Sequence, residues 1–199
     1  HEGSFLVGMI AAMKTQTGTV GFVGGMDIPL IRKFHGGYEQ GAKYVNPDIN
    51  VLMNMTGTTP EAWNNPTKGA ELTKAQIDKG ADVVYQAAGG TGIGVLQAAA
   101  DAGIFGIGVD ANQNYMHPGS VLTSMLKRVD VAVYNAFKST MDGTYETGVF
   151  TLGLAEDGVG WALDEHNASL ITDEMKSTVE QARKDIISGK IVVADASAQ

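Results

Sequence analysis

The sequence contains no cysteine in 199 residues, which excludes disulfide scaffolds and thiolate metal sites. That absence fits an oxidising compartment without proving one. Positive charge is scarce. Fourteen Lys and Arg stand against 22 Asp and Glu, a net charge of −8, and no basic cluster occurs. Binding by phosphate neutralisation is therefore disfavoured, and nucleic acid is not an expected partner. No apolar run approaches the length of a membrane span. His1, His35, His117 and His166 are far apart in sequence, without the H-x-x-x-H spacing of a metal site, so no metal is expected. There is no G-x-S-x-G elbow and no Ser/His/Asp spacing that suggests a nucleophile. No enzyme activity and no cofactor are expected. Internal repeats and low-complexity linkers are also lacking.

Glycine, by contrast, is abundant at 26 residues, and it falls mostly where strands meet helices. Apolar positions at Phe5, Leu6, Met9, Ile10 and Met13 predict an amphipathic helix over 5–15. A strand at 19–23 and a helix from Pro29 to about Tyr44 follow, with Asp27 near the helix cap. Then come a strand at 50–55, a helix at 66–79, a strand at 83–86, a helix at 92–102 and a strand at 105–109. Strict β–α alternation predicts an α/β fold with a parallel sheet covered by helices on both faces. Beyond Asp110 the rhythm changes. A strand is expected at 120–126, a helix at 129–141, a strand at 148–154 and a helix at 172–188, with irregular or strand-like chain between the last two. The nine methionines fall mostly at apolar positions and read as core.

In open α/β sheets ligands sit beyond the carboxyl ends of the strands. The stretch "YQAAGGTGIG" ends one strand and opens a helix. A phosphate reading is available, because Asp110 ends the next strand, where a dinucleotide fold keeps its ribose acid. The G-x-G-x-x-G pattern fails, however: from Gly90 its last position is Val95, and from Gly89 its third is Thr91. The glycines alternatively serve only close helix–strand packing. Tyr85, at the strand end beside bare amides, suits stacking of a flat neutral ligand.

The stretches "EGSFLVG", "GFVGGMDIPLIRKFHGGYEQGAKYVNP", "YQAAGGTGIGVLQAA" with "GVDANQ", "LKRVDVAVYNA" and "NASLITDEMKSTVEQARKDIISGKIVV" occur in that order. Together they resemble the basic membrane protein family of ABC-transporter substrate-binding proteins, of the purine nucleoside receptor type, over essentially the whole chain. The resemblance implies a type I periplasmic-binding fold with a nucleoside trapped between two lobes. It also implies an ABC permease as partner and a periplasmic or membrane-anchored location. Members are longer, and the first-lobe region that opens them does not precede His1. This chain is thus expected to comprise mainly the second lobe (1–111), a crossing segment with part of the first lobe (112–158), and a return segment with a C-terminal helix (159–199). A start at His1 is expected either of a piece of a longer protein or of a natural one-lobe protein. In the one-lobe case the exposed cleft face could pair with a second copy.

The resemblance assigns residues to the site. Tyr85 matches the second-lobe stacking aromatic. Asp110 would accept hydrogen bonds from the ribose hydroxyls, or else stabilise its own turn. Lys127 would donate to the ribose or hold Asp110 by charge, and Arg128 reads as structural. Gly57 matches a glycine whose backbone meets the ligand, while Gly89 and Gly90 allow the loop to approach closely. Asp27 either hydrogen-bonds the purine edge or caps its helix. Glu2 is a weaker candidate. Trp63 either shields the cleft or caps a loop. The rival is a nucleotide- or NAD-binding α/β enzyme using the Gly89–Gly94 loop. A phosphate site would prefer nucleotide over nucleoside, and a nucleoside receptor the reverse.

Overall fold

The computed structural model describes residues 1–198. Helix α1 (Glu2–Lys14) buries Phe5, Leu6, Val7, Met9, Ile10 and Ala11. A helix buried around most of its circumference lies inside a layer rather than on the surface, which corrects the amphipathic expectation. β1 (Thr19–Met26), α2 (Pro29–Val45), β2 (Asn50–Gly57), α3 (Pro66–Ile77), β3 (Val83–Ala87), α4 (Thr91–Asp101) and β4 (Phe105–Asp110) then alternate as expected. β5 (Val121–Lys127), α5 (Val129–Met141), β6 (Val159–Trp161) and α6 (Asp173–Ile187) complete the order. Local chemistry fixes several starts. The Asn65 side chain accepts from the Lys68 amide with Pro66 in the first turn of α3, and the Thr172 side chain accepts from the Met175 amide at α6, both standard N-terminal devices.

The six strands form one sheet in the order β2-β1-β3-β4-β5-β6. β1 to β5 pair in parallel, and only β6 runs antiparallel, against β5. The order reverses between β1 and β3, the switch point of a doubly wound sheet. Both faces are covered. Phe22, Val83, Tyr85, Ile107 and Met125 join residues of α1, α2 and α6 in one cluster. Val23 and Val84 join Val95 of α4 and Leu72 of α3 in another. Alternate residues of each strand therefore point into different cores, as a sheet buried on both sides requires.

α1 and α2 cross at backbone contact. A Cβ at Gly8 would lie 2.1 Å from the Tyr38 carbonyl oxygen, and one at Gly41 would lie 1.9 Å from that of Phe5. On its sheet side α2 presents Ile31, Phe34, Tyr38 and Ala42 at helical spacing. α6 closes the same layer with Met175, Val179, Ala182 and Ile186.

Two expectations for the second half are corrected. The strand expected at 148–154 does not form; that stretch carries no strand assignment, and Val149 and Phe150 are exposed. It pairs with no strand of the sheet among the described residues, and its Gly153 and Leu154 amides donate to the Glu156 and Glu2 carboxylates at 2.8 and 2.7 Å instead of to a ladder. α5 forms over the expected residues yet buries none of its side chains among the described residues. Among the described residues, no helix is long and apolar enough to cross a membrane.

The α1–α2 contact generates a stability prediction. Gly41→Ala must push the Phe5 carbonyl away, and overpacking of this kind costs about 1–3 kcal/mol. Equilibrium urea unfolding is expected to show that loss. An unchanged midpoint would mean that the two helices separate freely.

Candidate functional site

Parallel pairing brings the carboxyl ends of β2, β1, β3, β4 and β5 to a single edge, and the predicted residues line up along it. Gly57 ends β2, and Asp27 follows β1. Met26 pairs with Gly57, and the Asp27 amide donates to the Gly57 carbonyl at 3.1 Å. Gly89 and Gly90 follow β3. Asp110 ends β4 and is in register with Leu126, one residue before Lys127 at the end of β5.

Asp110 has φ +67, a left-handed conformation in which a side chain other than Gly is uncommon. Its carboxylate lies 3.1 Å from Lys127 Nζ, and the two side chains are 55% and 43% exposed. The pair is open to solvent, so it holds a geometry more than it stabilises the fold. Lys127 also sits 5.8 Å from the ring centre of Phe34. Phe34 lies on the buried face of α2 and was not singled out in the sequence.

The structure buries Tyr85, removes the capping alternative for Asp27 and gives Glu2 a backbone partner. Tyr85 is 0% exposed. Its ring packs against Phe22 and Tyr38, with centroids at 5.5 and 5.1 Å, and its hydroxyl pairs with Ser4 Oγ at 3.1 Å. Burial pushes that hydroxyl above its ordinary pKa. No ring face is open to a ligand, so the stacking role expected of Tyr85 is corrected to a core role. Val83 and Tyr85 share one face of a doubly covered sheet, and that alternation was the available signal. Asp27 does not cap α2, whose N-cap is Ile28 with no side-chain cap. It pairs in bidentate fashion with Arg32, at 2.8 and 3.0 Å, and the hydrogen bond from Arg32 lowers its pKa. Glu2 accepts from the Leu154 amide at 2.7 Å and so ties α1 to the segment after α5.

Trp63 belongs to a short 3-10 turn (Pro60–Trp63) and stands at the switch point. A Cβ at Gly25, near the end of β1, would lie 2.2 Å from the indole ring, and one at Gly89 would lie 3.7 Å from it. It is half-buried. Among the aromatics considered for the site, Trp63 is the one that meets the strand ends. Gly89 has φ +57, a conformation that glycine adopts without steric cost whatever the ligand. The amides of Thr91, Gly92 and Ile93 donate to Ala88, Gly89 and Gly90 carbonyls at 3.2, 3.0 and 3.2 Å. The first turn of α4 therefore spends these donors internally, which weakens the phosphate-cradle reading.

A cleft of about 710 Å³ opens beside this edge, between the starts of α1 and α2 and the segment 150–159. Its walls include Leu30, Phe34 and Val129, with Glu2, Lys127 and Arg128 supplying charge. A smaller hollow of about 400 Å³ holds Asp110, Lys127 and Asp130. Lys127, Arg128 and Val129 are common to both. Gly57, Asp27, Gly89 and Gly90 line neither, and lie farther along the edge. Among the described residues no three His, Asp or Glu side chains gather as a metal site would need.

Residues 1–197 match the family described as ABC transporter substrate-binding protein, PnrA-like. The chain is 37% identical to the ABC transporter nucleoside-binding protein BmpA of Lactococcus lactis, over 97% of this chain and 58% of that protein. It is 40% identical to an uncharacterized lipoprotein of Pyrococcus abyssi, over 82% of this chain and 43% of that protein. Among solved structures, a solute-binding protein of an ABC transporter system from Aeropyrum pernix is 31% identical, with a TM-score of 0.82 over 97% of this chain and 64% of that one. The chain spans about half the length of the relatives it matches.

The two glycine positions separate fold from ligand. A Cβ at Gly57 would meet only Ala62, at an ordinary 3.5 Å, whereas Gly89 needs its positive φ. Gly57→Ala is expected to unfold within about 0.5 kcal/mol of the parent, and Gly89→Ala to lose about 1 kcal/mol. Thermal and urea unfolding of both variants would check the contrast; equal losses would show that Gly57 also serves the fold.

Proposed function

Because this chain belongs to the family of PnrA-like ABC transporter substrate-binding proteins, we propose that it captures a nucleoside, with purines preferred, for an ABC importer and performs no chemistry on it. The observation that carries the reading is Asp110, held in a left-handed conformation at the carboxyl edge with Lys127 at 3.1 Å. Backbone strain at a strand end next to an open charge pair is characteristic of a ligand site. An ionised carboxylate is acceptor-only, and two adjacent ribose hydroxyls offer it two donors. Lys127 donates beside it and keeps that carboxylate from facing the ligand uncompensated.

The flat base needs an apolar face. Trp63 takes the role that the sequence suggested for Tyr85, because its indole stands at the rim between β1 and β3. The backbone at Gly57 and Gly89 supplies close approach on either side of it. The nucleotide-enzyme alternative is disfavoured by the internally bonded first turn of α4. A phosphate would also add negative charge beside Asp110.

The reading extends to the whole protein. Residues 1–111 are read as a second lobe, 112–158 as the part that crosses toward a first lobe, and 159–199 as the return, with the exception that β5 still belongs to the second-lobe sheet, so the crossing starts beyond it. α5 then carries the surface that meets the rest of a two-lobed protein. Val129, Val133, Phe137 and Met141 are all exposed at four-residue spacing, a stripe of the kind that is normally covered. A second copy of this chain is the competing occupant, and sedimentation of the isolated chain distinguishes a dimer from a monomer. Two relatives are named lipoproteins, which supports a location outside the cytoplasm, held by or near the membrane.

Calorimetry of the longer protein with guanosine and guanosine monophosphate tests the reading. The nucleoside is expected to bind more tightly, and the reverse order would overturn the proposal. Asp110→Ala is expected to weaken nucleoside binding by about 1.5–3 kcal/mol, the range for a hydrogen bond to a charged group. Trp63→Ala is expected to cost roughly 1–3 kcal/mol, as for other base–aromatic contacts, while Tyr85→Phe leaves affinity unchanged. A loss at Tyr85 with none at Trp63 would reverse that assignment.

A further inference from the structure

A chain of polar groups, buried at Gln86, Asn114 and Ser124 and half-buried at Gln113, runs beneath the candidate site. Gln86, fully buried on β3, accepts from the Ala88 amide at 3.1 Å and so shapes the loop that leads to Gly89. Its Nε2 donates to Gln113 Oε1 at 2.8 Å. The same Gln113 oxygen accepts from the Val109 amide at 2.9 Å, immediately before Asp110. The Gln113 amide donates to Ser124 Oγ at 2.9 Å, and Ser124 Oγ donates to Asn114 Oδ1 at 2.8 Å. Asn114 and Asn112 both donate to Asp164, at 3.1 and 2.5 Å. One carbonyl oxygen thus joins the loop after β3 to the end of β4, and neighbouring groups carry the connection to β5 and to the segment after β6.

We infer that Gln113 is the positioning residue for Asp110, holding it at a fixed place relative to the Gly89 loop and to Lys127. The inference rests on the nucleoside reading of the Asp110–Lys127 pair and adds a residue that touches no ligand. The chemistry is specific. Gln113 Oε1 serves as a double acceptor, and both of its donors, the Val109 amide and Gln86 Nε2, are attached to strand ends that carry the site. Space there is tight. A Cβ at Gly92 would lie 2.0 Å from Gln86 Oε1, and one at Gly108 would lie 2.8 Å from Gln113 Oε1. The two side chains are therefore fitted against bare backbone and cannot shift to new partners cheaply. The left-handed φ of Asp110 is a strained state that persists only when its surroundings enforce it: the Ala111 amide donates to the Val109 carbonyl across it at 2.8 Å, and the Gln113 acceptor anchors the N–H of Val109, the residue that enters this turn. A carboxylate at position 113 keeps the double acceptor, and an alanine removes it.

Two measurements on the longer protein test this. The first, amide exchange without ligand, compares wild type, Gln113→Ala and Gln113→Glu. Protection is expected to fall at 86–90 and 109–114 in Gln113→Ala alone. Unchanged protection there, or a loss spread through the whole sheet, would overturn the positioning role. The second is guanosine affinity in a double-mutant cycle with Asp110→Ala. Gln113→Ala is expected to weaken binding about tenfold in the parent, with Gln113→Glu restoring it to within about threefold, and to change it less than twofold once Asp110 is gone. An equal loss in both backgrounds would make Gln113 a general stabiliser and sink the inference. If Asp110→Ala alone leaves guanosine binding intact, the nucleoside reading of the pair fails, and with it the claim that Gln113 acts on ligand through Asp110; the exchange result still decides whether Gln113 holds the loop.

Discussion

Five strands running the same way oblige every connection to cross back over a face of the sheet. That single constraint covers both faces with helices and leaves every strand to finish at one edge. The edge is where the backbone stops pairing, and there Gly57, Asp27, Gly89, Asp110 and Lys127 are brought from positions up to 100 residues apart in the chain. The switch between β1 and β3 adds a crevice, because consecutive crossovers leave it on opposite faces.

The two faces do different work. On one, α1 and α2 touch backbone to backbone through Gly8 and Gly41, and this close approach seats Phe22, Tyr38 and Tyr85 as a contiguous aromatic cluster. That cluster makes a rigid floor beneath the edge. On the other face the packing is less aromatic, and polar side chains enter it. Gln76 reaches the Phe22 carbonyl and Asn54, and Gln86 reaches Gln113. A buried donor needs an acceptor, so the Gln76 and Gln86 Nε2 groups fix the separation of the elements they join, although Gln76 Oε1 has no partner among the described residues. The stiffness of the Asp110 turn is inherited from this polar layer rather than from the exposed ion pair with Lys127.

The second half of the chain follows another logic. β6 is a three-residue antiparallel strand, and α5 projects with its apolar stripe uncovered. Asp157, in a left-handed conformation, draws Arg128 and Arg183 toward the segment between them. These features suit a chain that leaves one packed body and returns to it, which is why α5 and its neighbours read as a surface and not as a core.

Sequence alone determined the alternation of elements through Asp110, since strand and helix periodicity and glycine or proline punctuation are local properties. It also determined the family, because long ordered motifs survive without any knowledge of contacts. Asp110 and Lys127 were legible as residues at the ends of consecutive strands. Only the tertiary structure decided the rest. Tyr85 is an aromatic near a strand end in sequence, but the layer of α1 and α2 covers the face to which it points, and burial depends on what packs from outside the strand. The stretch 148–154 has the residues of a strand, yet strands exist only in pairs, and here the Gly153 and Leu154 amides are taken by the Glu156 and Glu2 carboxylates. Asp27 looked like a helix cap until Arg32 came within 2.8 Å. Gln113 carried no local signal at all, because its role lies in two donors, one of them 27 residues away, that only the folded sheet brings to a single oxygen.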